Sequence, residues 1–235
     1  MRIASVRTAV IFLLLWFVQV HAQTATVTVK VAVQHAGGGA TGSSADSSNV
    51  VLWLTPLDTP AAMPVHENKY RLVQQHKQFH PHVLVVPVGS AVEFPNLDPF
   101  FHNVFSLYKG KRFDLGLYEA GKSRVVRFER PGVSFVFCNI HSDMSAYVIA
   151  VETPYFAVTD ARGQATIPDV LAGRYQLEVW YERADSDELA KLTREVTVVG
   201  PSTFLGGIQI LESEHFVPPH TNKHGEPYET EHDHY

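Results

Sequence analysis

From Phe79 to Val151 the chain is cut into apolar runs too short for helices, with a turn signal roughly every 8–12 residues. Val83 to Val86, Ala91 to Phe94, His102 to Leu107, Ser123 to Phe128, Ser134 to Phe137 and Ala146 to Val151 read as strands. Pro87-Val88-Gly89-Ser90, Pro95-Asn96-Leu97-Asp98-Pro99, Lys109-Gly110-Lys111, Glu119-Ala120-Gly121 and Pro131-Gly132 separate them, and Phe113 to Tyr118 is mixed. Proline and glycine at these intervals rule out long helices and favour antiparallel strands that bury one face. No long amphipathic pattern occurs elsewhere. The expected fold class is all-β, a sandwich.

The flanking segments follow the same rule at lower density. Thr24 to Val33 alternates strictly, which marks a half-buried strand. His35 to Asn49 is a Gly/Ser/Ala loop, Val50 to Leu54 a strand ended by Pro56, Thr59 to Pro64 a linker, and Tyr70 to Gln75 a short strand. After Thr153 come strands at Tyr155–Thr159, Gln164–Ile167, Tyr175–Trp180 and Arg194–Val199, with Ile208–Leu211 closing the sheet and one helical turn at Asp185–Lys191. This is a second, smaller all-β unit. The segment from Glu212 is polar and carries five of the 13 histidines: His215, His220, His224, His232 and His234. It reads as a disordered tail, able to collect metal or simply solvated.

Arg2 and Arg7, the apolar run Ala9–Val18 and the small-x-Ala pattern Val20-His21-Ala22 form a secretory leader, residues 1–22. An uncleaved anchor is the alternative, although the run is short for a span of about 20 residues. No later segment is apolar enough to cross a membrane, so a periplasmic or secreted protein is expected. The formal charge of −5 gives no basic face for nucleic acid. Export exposes thiols to oxidation, yet the 235-residue chain has one cysteine and cannot form an internal disulfide. Such a thiol needs a use.

Cys138-Asn139-Ile140-His141-Ser142-Asp143-Met144 supplies that use. It offers a thiol, an imidazole and a thioether at spacings of three, just after a strand. His102, in Phe100-Phe101-His102-Asn103, opens another strand upstream. Cys, two His and a Met are the donor set of a mononuclear blue-copper centre, with a His₂Cys plane and a weak axial thioether. The candidate ligands of one type 1 copper ion are therefore His102, Cys138, His141 and Met144. Asn96 or Asn103 could hydrogen-bond near the sulfur, and Phe100, Phe101 and Met144 could exclude water. Zinc is the competing metal, since Cys-His₂ with an open position is a catalytic zinc arrangement. However, there is no HExxH motif, and Asp143 is the nearest candidate base, so no enzymatic activity is expected. A Cys-His-Asp nucleophile and an inert buried cysteine are weaker readings. His82, in His80-Pro81-His82, reads as an edge histidine or as a second metal contact.

These residues resemble the cupredoxins. Pro81 to Gly89 followed by Val92-Glu93-Phe94-Pro95-Asn96 is similar to their early strands, Phe101-His102-Asn103-Val104 to the segment bearing the first histidine ligand in plastocyanin and amicyanin, and Cys138-x-x-His141-x-x-Met144 to the short amicyanin ligand loop. The loop lacks the proline usual beside that histidine. A second resemblance, carried by Ala157-Val158-Thr159-Asp160-Ala161-Arg162-Gly163 through Gly173-Arg174-Tyr175, is to carboxypeptidase regulatory-like (transthyretin-like) modules, which are generally non-catalytic. The resemblances imply a cupredoxin Greek-key sandwich over 66–152, inserted in or followed by a smaller prealbumin-like sandwich made of 24–58 and 153–211, with the tail at 212–235. They also imply an exported electron carrier that meets a redox partner protein. The alternatives are a copper-binding or chaperone protein without redox traffic, and a structural or carbohydrate-associated β-module.

Overall fold

The computed structural model describes residues 23–34, 46–58, 60, 70–107, 110–213 and 223–224. The expected leader, much of the loop after His35, most of the linker and most of the tail lie outside those residues. Among the described residues no helix is long and apolar enough to cross a membrane.

The fold is all-β. The strands are β1 (Thr24–Gln34), β2 (Val51–Pro56), β3 (Tyr70–Arg71), β4 (Val73–Gln75), β5 (Gln78–His80), β6 (Val83–Pro87), β7 (Ala91–Pro95), β8 (His102–Ser106) and β9 (Phe113–Tyr118). They continue as β10 (Ser123–Arg127), β11 (Gly132–Phe137), β12 (Ser145–Val151), β13 (Phe156–Val158), β14 (Gln164–Leu171) and β15 (Gly173–Trp180). One short helix, α1 (Ser186–Leu192), precedes β16 (Arg194–Val198) and β17 (Ser202–Leu211).

Among the described residues four sheets carry the architecture, in the orders β14-β1-β17, β13-β2-β15-β16, β6-β12-β11-β8-β9 and β10-β7-β3, and β4 and β5 form a separate hairpin. The first two sheets use only strands before Asp58 and after Thr153, and the last two use only strands between them. The inner pair of sheets thus interrupts the outer pair in sequence. β1 pairs antiparallel with β14 and parallel with β17, which ties the two chain segments of the outer sandwich together.

Three apolar layers separate the sheets, and strand alternation sorts residues between them. In β12, Ala146, Val148 and Ala150 face the inner core with Phe94, Val104 and Val136. Tyr147, Ile149 and Val151 face the other way, against Val51, Trp53 and Trp180 of the outer sandwich. β2 divides likewise: Leu52 and Leu54 join the outer core with Val29 and Leu177, while Val51 joins the shared layer. Successive side chains on a strand point to opposite faces, so a strand apolar at every position must be buried on both. Each fully buried aliphatic side chain contributes roughly 1.5–3 kcal/mol, so the shared layer is a core in its own right.

Local departures from the expected elements have simple causes. Tyr70–Gln75 is split at Leu72, because β3 pairs with β7 while β4 pairs with β5. β2 ends at Pro56, which pairs with Tyr175 of β15 beyond the stretch Val51–Trp53 that pairs with β13. β14 continues past Pro168 to Leu171, with Asp169 at φ 55°. Glu212 is buried and accepts a hydrogen bond from the Tyr181 hydroxyl at 2.9 Å, so it belongs to the sandwich and not to the tail.

Candidate metal centre

The centre is built where β8, β11 and β12 meet. β8 is buried along its whole length, and His102 is its first residue. Cys138 directly follows β11, which pairs with β8 at Phe137 and Phe105. The loop from Cys138 to Met144 is closed by its own backbone: the Cys138 N–H donates to Met144 O at 3.0 Å, and the Met144 N–H donates to His141 O at 3.2 Å. These two bonds return the chain to β12 and bring His141 back beside Cys138.

The result is a compact donor set. The ligating atoms of His102, Cys138 and His141 all lie within 4.8 Å of one another. Cys138 Sγ is 3.7 Å from His102 Nδ1 and 3.5 Å from His141 Nδ1. Bonds of about 2.3 Å to sulfur and 2.0–2.1 Å to nitrogen, opening at roughly 110–120°, would set sulfur and nitrogen about 3.5–3.8 Å apart. The observed spacings therefore suit a single ion held by all three residues. His102 and Cys138 are buried, and His141 is half-buried. Met144 is fully buried in the same apolar cluster as Cys138. The rings of His102 and His141 lie 4.9 Å apart, and Phe100 meets both edge-on, at 5.2 and 5.8 Å.

Electrostatics favour a bound cation. Burial pushes the Cys138 thiol up, while the main-chain N–H groups of Asn103, Ile140 and His141 pull the other way without overcoming it. A cation beside the sulfur would displace its proton and relieve that penalty. His102 Nε2 lies 2.8 Å from Asp98 Oδ2, and both residues are buried. A carboxylate only accepts, so Nε2 carries a proton, and Nδ1, which faces the sulfur, is the nitrogen left to ligate a metal. Burial pushes Asp98 up, but the main-chain N–H of Lys77, the His102 ring and the main-chain N–H of His76 outweigh it, leaving the carboxyl below its ordinary range.

Other residues expected near the site are distributed differently. The Asn96 side chain does not serve the sulfur. It donates to Phe100 O and Tyr118 O and accepts from the Asp98 N–H, shaping the loop that carries Asp98 and Phe100. Asn103 contributes its main-chain N–H, and its side chain bonds Asp114. Phe101 is 54% exposed and lines a surface groove with Leu117, Lys122 and Arg124, so it does not shield the donors. Asp143 is exposed and accepts from the Ser142 hydroxyl. His82 lies between the two sandwiches: Nδ1 is 3.3 Å from Ser145 O and Nε2 is 2.9 Å from Glu182 Oε2. Beyond Ser213, Lys223 and His224 of the polar C-terminal segment are described, and Lys223 reaches the ligand loop. The Lys223 N–H donates to Asn139 Oδ1 at 2.8 Å, and its ammonium pairs with Asp114 at 3.1 Å.

No family model matches the sequence. No curated protein matches it either. Similar solved structures include a Cu-containing nitrite reductase from Thermus scotoductus SA-01, at 25% identity over 42% of this chain and 28% of that one, with a TM-score of 0.36. A novel purple cupredoxin from Nitrosopumilus maritimus is 23% identical over 35% of this chain and 100% of its own, with a TM-score of 0.33. An amicyanin variant in its reduced state is 17% identical over 42% of this chain and 99% of its own, with a TM-score of 0.34.

Proposed function

We propose that the chain is an exported type 1 copper protein that passes single electrons between redox partners, and that it is not an enzyme. The observation that carries this reading is the convergence of His102, Cys138 and His141 within 4.8 Å in a largely buried pocket. His102, Cys138, His141 and Met144 would hold the ion, with the Met144 thioether as the weakest donor. Bound copper would supply a one-electron Cu(II)/Cu(I) couple. The chain's part is to hold the donors still and keep water out. His102 is locked by Asp98, Phe100 covers the two imidazoles, and Met144 closes the apolar side. His141, half-buried and flanked by exposed Ile140 and Phe100, is the edge nearest an approaching partner. The inner sandwich is read as a cupredoxin domain set within a regulatory-like, non-catalytic module that acts as its support. The leader-like segment 1–22 would route the chain to the periplasm or outside.

Titrating metal-free protein with Cu(II) tests the reading. One equivalent should produce an intense thiolate-to-copper charge-transfer band in the visible with narrow copper hyperfine splitting, and Cys138→Ala should lose the band while remaining folded. Tight zinc binding with no such band from copper would overturn the electron-carrier reading. A blue site that exchanges copper with a small chelator but shows no reversible one-electron wave would favour a copper-handling role instead.

A further inference from the structure

The Asp98 carboxylate is 5% exposed and is shared among three donors. Oδ1 accepts from the His76 N–H at 2.6 Å. Oδ2 accepts from the Lys77 N–H at 2.9 Å and from His102 Nε2 at 2.8 Å. His76 and Lys77 form the tip of the β4–β5 hairpin, and both are left-handed, at φ 56° and 55°. A two-residue hairpin tip of this kind ordinarily takes Asn-Gly or Asp-Gly. Here two side-chain-bearing residues hold that conformation, and their successive N–H groups converge on one buried carboxylate as an anion-binding nest. No Lys or Arg side chain pairs with Asp98 among the ion pairs of the described residues. The charge is held by backbone amides and delivered to the far side of the His102 ring.

Resting on the copper reading above, we infer that Asp98 is a positioning residue that fixes the Nδ1-ligating tautomer of His102 and sets the balance between Cu(II) and Cu(I) through an anion held by the β4–β5 turn. An imidazole donating its second N–H to a carboxylate is a more basic ligand, and a fixed negative charge favours the more positive metal state. Both effects favour Cu(II). In Asp98→Asn the side-chain amide oxygen would still accept from His102 but the group would carry no charge, so this substitution separates positioning from electrostatics.

In the copper-loaded full chain, Asp98→Asn should keep the visible band. It should weaken Cu(II) binding about 10–100-fold in chelator competition, with a smaller loss for Cu(I). The reduction potential should then rise, each tenfold change in the Cu(II)/Cu(I) affinity ratio corresponding to about 59 mV for a one-electron couple. An Asp98→Asn protein with the band intact and an unchanged potential overturns the electrostatic role. Nitrogen-15 spectra of the unmodified metal-free protein give a result that survives a poorly folding variant. His102 should carry a slowly exchanging proton on Nε2, and an Nδ1–H tautomer with Nε2 bare overturns the positioning role. That measurement is independent of copper, so failure of the blue-copper reading and failure of this inference show up separately.

Discussion

The two histidines that meet Cys138 are held in opposite ways. His102 begins a strand with no exposed residue, and its far nitrogen is bonded to a buried carboxylate. His141 sits half-buried in a loop closed by two backbone hydrogen bonds, between exposed Ile140 and Ser142. One donor is fixed by the fold and the other by the loop's local geometry. The electron-carrier role proposed above would use both: a rigid side would limit reorganisation, and an accessible side would bring a donor atom near the surface.

Replacing each histidine by glycine exposes that contrast most sharply. His102→Gly removes one of the three donors to buried Asp98 and opens a buried void, so the metal-free variant should be less stable than His141→Gly by roughly 1–3 kcal/mol. External imidazole with copper should restore a visible band to His141→Gly and not to His102→Gly. Equal rescue of both would erase the distinction between a buried and a reachable donor. Met144→Leu tests the loop's contribution from its apolar end. The near-isosteric change should cost under about 1.5 kcal/mol, keep copper and raise the reduction potential. An unchanged or lowered potential removes Met144 from the axial position.

His82 anchors the C-terminal end of the loop, and its behaviour should depend on pH. Both of its ring nitrogens face acceptors, Ser145 O and the Glu182 carboxylate, with Tyr147 packed edge-on at 5.7 Å. Satisfying both bonds requires the protonated ring. The Glu182 hydrogen bond leads the causes that raise His82 above its ordinary 6.5, against burial. Its contribution to stability is therefore fully present below about pH 6.5 and is lost as pH climbs through the raised value. Denaturant midpoints across that window should fall more for the unmodified protein than for His82→Gln, and parallel curves would remove the histidine from the account. The smallest effect is expected from ending the chain after Ser213. Glu212 must be kept because it is buried against Tyr181. Loss of the part-exposed Lys223 contacts should cost about 0–1 kcal/mol, leave the visible band alone, and speed amide exchange at Asn139–Asp143. Loss of the copper site would mean that the tail supplies a ligand.

The convergence of His102, Cys138 and His141 was legible because cysteine is unique in the chain, His141 follows it at a short spacing just past a strand, and His102 opens another strand. Asp98 was not. In Pro95-Asn96-Leu97-Asp98-Pro99 it looks like a turn residue, and its role depends on amides of a hairpin some twenty residues earlier in the chain. His82 was illegible for the same reason, since its partner Glu182 lies in the other sandwich. The shared layer had left a trace. Val83-Leu84-Val85-Val86 and Ala146 to Val151 are apolar at every position, which a strand with one solvated face does not require. That pattern indicates burial on both sides without identifying the covering surface.

The layer formed by Val51, Val83, Val85, Tyr147, Ile149 and Val151 bears on how the molecule comes apart. Its side chains come from both sandwiches, and Tyr147 stacks on Phe135 while packing against Trp180 at 4.8 Å. Melting either sandwich alone would bare this layer to water, so loss of one lowers the barrier to losing the other. The two should therefore denature in one cooperative transition, and a fragment cut to contain only the metal-bearing half would carry an aggregation-prone face of its own making.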